Sequence, residues 1–304
     1  MNLAVGIDIG GTKVAVGVVD ASGRILAKTR LNTDFTVTPQ VMVGRIAQSV
    51  HNLLSENSVF SDKIIGIGIG APGPLDPQSG TITCPPNLPG WNGFPLVEEM
   101  RKLLPYPIRM ENDATAATLA EKWIGAAQDS NHFIFLTIST GIGAGIYLHG
   151  KLITGATGNA GDAGHFVIDP SAGRCTCGQY GCWEWVASGT AIARQASAIV
   201  GSPLSTKEVF DLAQQGNASL QQLIEQAYRY IGIGCVTLIN LFDPDMIVIG
   251  GGVSQIGQPL FTAVQDYVTH HAFNPSGRGA KIVPAKLLQD AGLIGAAALI
   301  HHPY

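Results

Sequence analysis

Charge is scarce in this chain. Only 13% of its 304 residues are Asp, Glu, Lys or Arg, against an apolar share of 46%. That poverty excludes a disordered or charge-extended polymer and leaves a folded globular protein. The 18 basic and 22 acidic residues leave a net charge of −4, which offers no electrostatic footprint for nucleic acid or an anionic membrane. Long apolar runs are missing too. The best candidate, Ile231 to Val253, is broken by Asp243-Pro244-Asp245, so no segment reads as membrane-spanning. No basic leader with a cleavage site precedes the strand-like Leu3-Ala4-Val5-Gly6-Ile7. Cysteine is limited to five, and nothing pairs Cys84 or Cys235. Unpaired thiols fit a reducing compartment. The expectation is a cytoplasmic protein with neither nucleic acid nor membrane as partner.

What the chain does have is concentrated in a few places. Three of its cysteines, Cys175, Cys177 and Cys182, fall within Cys175-Thr176-Cys177-Gly178-Gln179-Tyr180-Gly181-Cys182, ten positions after His165. One imidazole and three thiolates suit a closed tetrahedral zinc site, structural because no position is left open for water. The competing reading is a cluster of small buried thiols. Glu184 follows directly, so a rigid knot there would hold flanking side chains in a pocket.

Along the chain, Leu3–Ile9, Val14–Val19 and Ile25–Thr29 read as strands, the first two joined by Gly10-Gly11-Thr12. Gln40–Ser55 has helical spacing of its apolar residues. Lys63–Ile69 reads as a buried strand ending in Gly70-Ala71-Pro72-Gly73-Pro74, Ile108–Glu111 as a short strand, and Asp113–Trp123 as a helix. A second cycle then opens in the same way: strand Phe133–Ser139, glycine turn Gly141–Gly145, strand Ile146–Leu148. Helices follow over Gly189–Val200, Ser205–Gln215 and Ser219–Phe242, then strand Met246–Ile249 into Gly250-Gly251-Gly252, and a terminal helix Leu293–His301. Length and this repetition predict two domains without a flexible linker. The expected boundaries are a small α/β lobe over residues 1–118, completed by the C-terminal helix 292–304, and a larger α/β lobe over 119–291 that carries the cysteine knot.

Asp8-Ile9-Gly10-Gly11-Thr12-Lys13 lies at a strand end, where glycines let backbone N–H groups approach a phosphate and Thr12 adds a hydroxyl. Asp8 has the hard oxygen that Mg²⁺ prefers, through water. A hairpin with no ligand would use the same residues, and the spacing is not that of a Walker loop. Ser139-Thr140-Gly141-Ile142-Gly143 repeats the arrangement, and Gly250-Gly251-Gly252 would let a flat base lie on bare backbone or would simply turn strand into helix. Asn112-Asp113, between a strand and a helix, provides either a carboxylate base or an N-cap.

Taken in order, Asp8–Lys13, Ser139–Gly145, Asp243–Val253 and Cys175–Glu184 resemble the ROK family of bacterial sugar kinases and related repressors, over nearly the whole chain. The resemblance implies a two-lobed actin-like ATPase (ribonuclease-H-like) α/β fold with sugar and ATP in an interdomain cleft, and a homodimer. It implies an ATP-dependent kinase for the 6-hydroxyl of a hexose, glucose foremost. The alternatives are an N-acetylmannosamine or N-acetylglucosamine kinase, or a sugar-responsive regulator without a DNA-binding domain. Asp113 matches the catalytic base. Asn87, Asn112, Asp113, Asp162, His165 and Glu184 match sugar contacts. Asp8, Gly10, Gly11, Thr12 and Lys13, with Thr140, Gly141, Gly143, Gly251 and Gly252, match the nucleotide contacts for ATP and Mg²⁺. One departure stands out: Asp162-Ala163-Gly164-His165 has aspartate where the family usually has glutamate, so the carboxylate arm is one methylene shorter.

Overall fold

The structure, a computed structural model, describes residues 2–56 and 60–302. Met1 and residues 57–59 of the expected 1–118 lobe, and residues 303–304 of the 292–304 segment, lie outside the described residues. The chain divides into two compact units. Unit 1 comprises Met1–Asp129, Lys151–Ala160 and Gln289–Tyr304; unit 2 comprises Ser130–Gly150 and Gly161–Leu288.

Unit 1 is organised by strands buried on both faces. β1 (Leu3–Ile9) sends Leu3, Val5, Ile7 and Ile9 to one core, while Ala4 joins Val19 and Ala297 on the opposite face. β2 (Lys13–Asp20) returns antiparallel through the Gly10–Thr12 turn and pairs with β3 (Ile25–Asn32). α1 (Pro39–Ser55) starts with Thr38 as its cap and proline at its first position, and packs on β2 and β3. β4 (Ile64–Ala71) then runs parallel to β1, followed by the small hairpin β5 (Leu75–Asp76) and β6 (Thr81–Ile82), the short α2 (Leu96–Arg101), and β7 (Ile108–Asn112). The sheet order is β3-β2-β1-β4-β7, with β7 parallel to β4. Thus the carboxyl ends of β1, β4 and β7 share one edge. α3 (Asp113–Trp123) leaves from that edge.

Unit 2 repeats the opening. β8 (Phe133–Ile138) and β9 (Ile142–Leu148) form a hairpin; β10 (Lys151–Ile153) follows in the unit 1 segment. The glycine turn expected over residues 141–145 is shorter than the sequence suggested. Gly143 pairs with Thr137 and Gly145 with Phe135, so both sit inside β9. Ladder bonds to β8 on one side and a bond from the Ala144 N–H to the Gly161 carbonyl on the other hold that glycine-rich stretch extended. Helices α4 (Trp183–Ala187), α5 (Gly189–Val200), α6 (Thr206–Gln214) and α7 (Ala218–Phe242) follow, then β11 (Met246–Gly250), α8 (Gln258–His271) and β12 (Lys281–Pro284). Within unit 2 the strand order is β9-β8-β11-β12, with β11 parallel to both neighbours β8 and β12. Its core gathers Trp183, Ile231, Cys235 and Val264. Burial pushes the Cys235 thiol up to about 12, consistent with an inert core residue.

α9 (Ala291–His301) belongs to unit 1 and packs on β1, β4 and α3. Close approach is possible because a methyl at Gly6 would overlap the Leu293 carbonyl and one at Gly68 the Ala296 carbonyl. No helix among the described residues is long and apolar enough to cross a membrane.

Candidate functional site

In unit 1 the polar residues collect at the carboxyl edge of the parallel strands, where α/β sheets typically bind ligands. Asp8 is in register with Gly70, and Gly70 with Glu111. The side-chain position at Gly70 lies 3.9 Å from both Asp8 Oδ1 and the Asp113 Cα. Any larger residue there would fill the space between the two acids. Asn112 is the cap of α3: its Oδ1 accepts the N–H of Ala114 at 2.9 Å and of Thr115 at 3.4 Å. Asp113 is the first helical residue, and the N-cap is supplied by its neighbour Asn112. The buried Glu111 carboxylate accepts the Asn112 N–H at 3.1 Å and so holds the strand end.

The Gly10–Lys13 turn is closed by the Gly10 N–H bonding to the Lys13 carbonyl, with the Thr33 hydroxyl on the Gly10 carbonyl. Thr12 and Lys13 are exposed. Asn87 lies against this turn: a side chain at Gly11 would stand 3.0 Å from its carbonyl. Its loop is anchored by buried Leu88, Trp91 and Phe94, the two rings meeting edge to face at 5.3 Å. Trp91 is therefore an anchor of the loop.

Burial raises the Asp8 carboxyl from 3.8 to about 6, with Lys13 and Arg30 pulling the other way. The acid also faces the first turn of α9, where a side chain on Gly292 would collide with it. A partly buried carboxylate whose charge is disfavoured suits a hydrated divalent cation, which would restore its charge. The sign of its contribution to stability follows. Folding takes up a proton at Asp8 between pH 4 and 6, so stability falls as pH rises through this window and the loss is complete above it. Asp8→Asn is therefore expected to be more stable than the parent at pH 7.5, by about 1–3 kcal/mol, and nearly level with it at pH 4. Urea unfolding of both proteins at the two pH values checks this; equal stability at pH 7.5 would show that the acid is not under strain.

Unit 2 has its own polar edge. Gly251, at φ 85°, turns the chain from β11 beneath the end of β8, where a side chain would overlap the Ile138 backbone. Gly252 lies beside Ser139. A cavity of about 470 Å³ opens here, lined by Ser139, Thr140 and Gly252, by Gly189 and Thr190 of α5, and by Thr206, Lys207, Phe210, Asp211 and Gln214 of α6. Thr140 and Gly252 were legible as candidates; the α6 residues were not, since nothing marks that helix beyond its Ser205 capping box. Gly141 and Gly251 border the same turn region, while Gly143 lies along β9.

Beside the β8–β9 turn stand the residues around the knot. Glu184, in the first turn of α4, accepts the Ile142 N–H on Oε2 at 2.9 Å. Its carboxylate occupies the space a side chain on Gly141 would need, and Gly164 lies against Ile142 and Glu184. His165 follows, and its N–H bonds to the carbonyl of the exposed Asp162 at 3.1 Å.

His165, Cys175, Cys177 and Cys182 present ligand atoms that all lie within 4.8 Å of one another. Cys177 and Cys182 sulfurs are 3.5 Å apart, and His165 Nδ1 is 3.7 Å from Cys175 Sγ. A tetrahedron with zinc–sulfur bonds of about 2.3 Å has edges near 3.8 Å, so the four atoms fit one zinc ion. Their chemistry agrees. The Gln179 backbone N–H holds the Cys177 thiol down to about 7, while burial pushes Cys182 up to about 12. A dication makes thiolates of them all.

Two α/β units, each opening on an antiparallel hairpin and continuing in parallel strands, with glycine turns at the polar edge, belong to the actin-like ATPase class of folds. Within that class, the sequence model of the ROK family matches residues 4–302, and the chain belongs to that family. It is 35% identical to a glucokinase from Thermotoga maritima, over 97% of this chain and 96% of the relative. A ROK hexokinase structure from Thermus thermophilus matches with TM-score 0.86 at 36% identity, covering 98% of both chains. A ROK family glucokinase from Streptomyces griseus, solved with glucose and AMPPNP, matches with TM-score 0.84 at 33% identity, covering 98% of this chain and 99% of that one.

Proposed function

We propose that this protein is an ATP-dependent hexose kinase acting on the 6-hydroxyl, with glucose as its preferred sugar. The observation that carries the reading is the near-complete match to glucokinases at about a third identity, on a chain that retains both glycine turns, Asp8, Asp113 and the knot.

In this reading Asp113 is the base. As the 6-oxygen attacks the γ-phosphorus its proton passes to the Asp113 carboxylate, the bond from phosphorus to the β–γ bridging oxygen breaks, and ADP leaves. Asn87, Asn112, Asp162, His165 and Glu184 bind the sugar hydroxyls. Gly10–Lys13 and Thr140–Gly143 hold the phosphates, and Gly251 and Gly252 take the base in the cavity over α6. Asp8 would hold Mg²⁺, which supplies charge neutralisation on the phosphates. His165, Cys175, Cys177 and Cys182 would hold a structural zinc. A homodimer in the cytoplasm completes the proposal.

The test is coupled ADP release with ATP-Mg²⁺ against glucose, mannose, fructose, N-acetylglucosamine and N-acetylmannosamine, on the parent and Asp162→Glu. Preference for glucose is expected in the parent. Preference for an N-acetyl sugar would replace glucose by the alternative substrates, and no turnover would remove the kinase. Asp162→Glu, which restores the longer arm, is expected to change the sugar KM or preference more than kcat; unchanged kinetics would remove Asp162 from the site.

A further inference from the structure

The residue between the last cysteine of the knot and Glu184 is Trp183, the largest fully buried side chain among the described residues. Its indole N–H is buried without a hydrogen-bond partner, so the tryptophan is kept there for its shape and not for its polar atom. That shape has a seat. A methyl on Gly234, in the interior of α7, would overlap Cζ2 and Cε2 of the indole. The ring also stacks on Phe166, centroids 5.0 Å apart, and the Trp183 backbone N–H donates to the Phe166 carbonyl at 3.0 Å. The indole thus touches both α7 and the segment just after His165.

We propose that Trp183, seated in the Gly234 notch, is a positioning residue that fixes Glu184 on the β8–β9 turn and thereby sets sugar affinity. The chain of contacts is short. Trp183 and Glu184 are consecutive in the first turn of the five-residue α4, a helix too short to hold itself in place. Backbone displacement at Trp183 must therefore move the Glu184 carboxylate relative to the Ile142 N–H it accepts. A glycine in the interior of a 25-residue helix is otherwise unfavourable; the notch is the return for it. This inference rests on Glu184 being a sugar contact, as proposed above.

Gly234→Ala fills the seat. The expected result is a roughly tenfold or greater loss of Ile142 amide protection in hydrogen exchange, with a sugar KM raised roughly 10–100-fold. The ATP KM and the bound zinc should stay at the parent values. The double variant Gly234→Ala with Trp183→Leu, which returns the space, should recover most of the sugar KM. If the single variant does not fold, Trp183→Phe replaces it, leaving the seat partly empty and lowering Ile142 protection in the same direction. Unchanged Ile142 protection in the folded variant overturns the positioning role. Lost protection with an unchanged sugar KM supports that role and overturns Glu184 as a sugar contact, so the two claims fail separately.

Discussion

Asp113→Asn is expected to lower kcat by about 10²–10⁴ while sugar affinity changes only a few-fold. The geometry makes this a clean replacement. The cap of α3 is Asn112, whose Oδ1 takes the Ala114 and Thr115 N–H groups, so the substitution leaves the helix start intact. Asp113 Oδ1 itself accepts the Ala114 N–H at 2.7 Å, a bond an amide oxygen also makes. Shape and these capping bonds survive, and what is lost, in the proposed mechanism, is a group able to take the proton of the 6-hydroxyl. A helix N-terminus favours a negative charge at that position. Calorimetric sugar binding and coupled ADP release on the same preparation separate the two effects. Near-normal kcat would exclude Asp113 as the base. Loss of sugar binding in step with kcat would make it a binding residue instead.

The sequence was informative wherever a short pattern carries its own geometry. Leu3–Ile9 alternates apolar residues that must be buried, so its limits were readable; so were Asp113–Trp123 and Gly189–Val200, bounded by an Asn and a Ser cap. The knot was legible because four ligands in eighteen positions can hardly arise otherwise, and its atoms do converge. What failed to show was whatever depends on distant partners. β9 begins at Ile142 because β8 pairs with it, overriding the breaking tendency of Gly143 and Gly145. β12 is four residues long, and its place at the sheet edge is set by β11 and by Gln265, whose side chain bonds to Ile282 and Ala280. The α6 lining of the unit 2 cavity comes from tertiary placement of an ordinary amphipathic helix. The role of Gly234 was equally silent, since a lone glycine in a helical pattern has no visible reason until the indole against it is seen.

Cys177→Ser is expected to lose zinc by more than about 10²-fold in affinity and to raise the sugar KM by about tenfold or more, roughly 1.4 kcal/mol. Phe166, Ile168 and Ala172 pack on the unit 2 core and Tyr230 donates to Asp169 at 2.6 Å, so the start of the 166–182 loop is held without metal; its tip is not. Cys175 and Cys182 are buried, but Thr176, Cys177, Gly178, Gln179 and Tyr180 are exposed, and their order rests on a few turn bonds such as Cys175 N–H to the Gln179 carbonyl. Without the metal, burial favours the neutral thiol at Cys182. His165, which Gln179 also ties through its backbone carbonyl at 3.1 Å, then loses its fixed orientation. The cavity over α6 contains no residue of this loop, so the ATP KM should move far less than the sugar KM. That asymmetry is what distinguishes a metal that shapes the sugar wall from one that merely holds the protein together. Zinc content, the two KM values and the melting temperature, measured on parent and variant, decide the matter. A zinc-free variant with unchanged sugar KM would make the knot dispensable for binding, and equal loss of both substrates would assign the zinc to global stability alone.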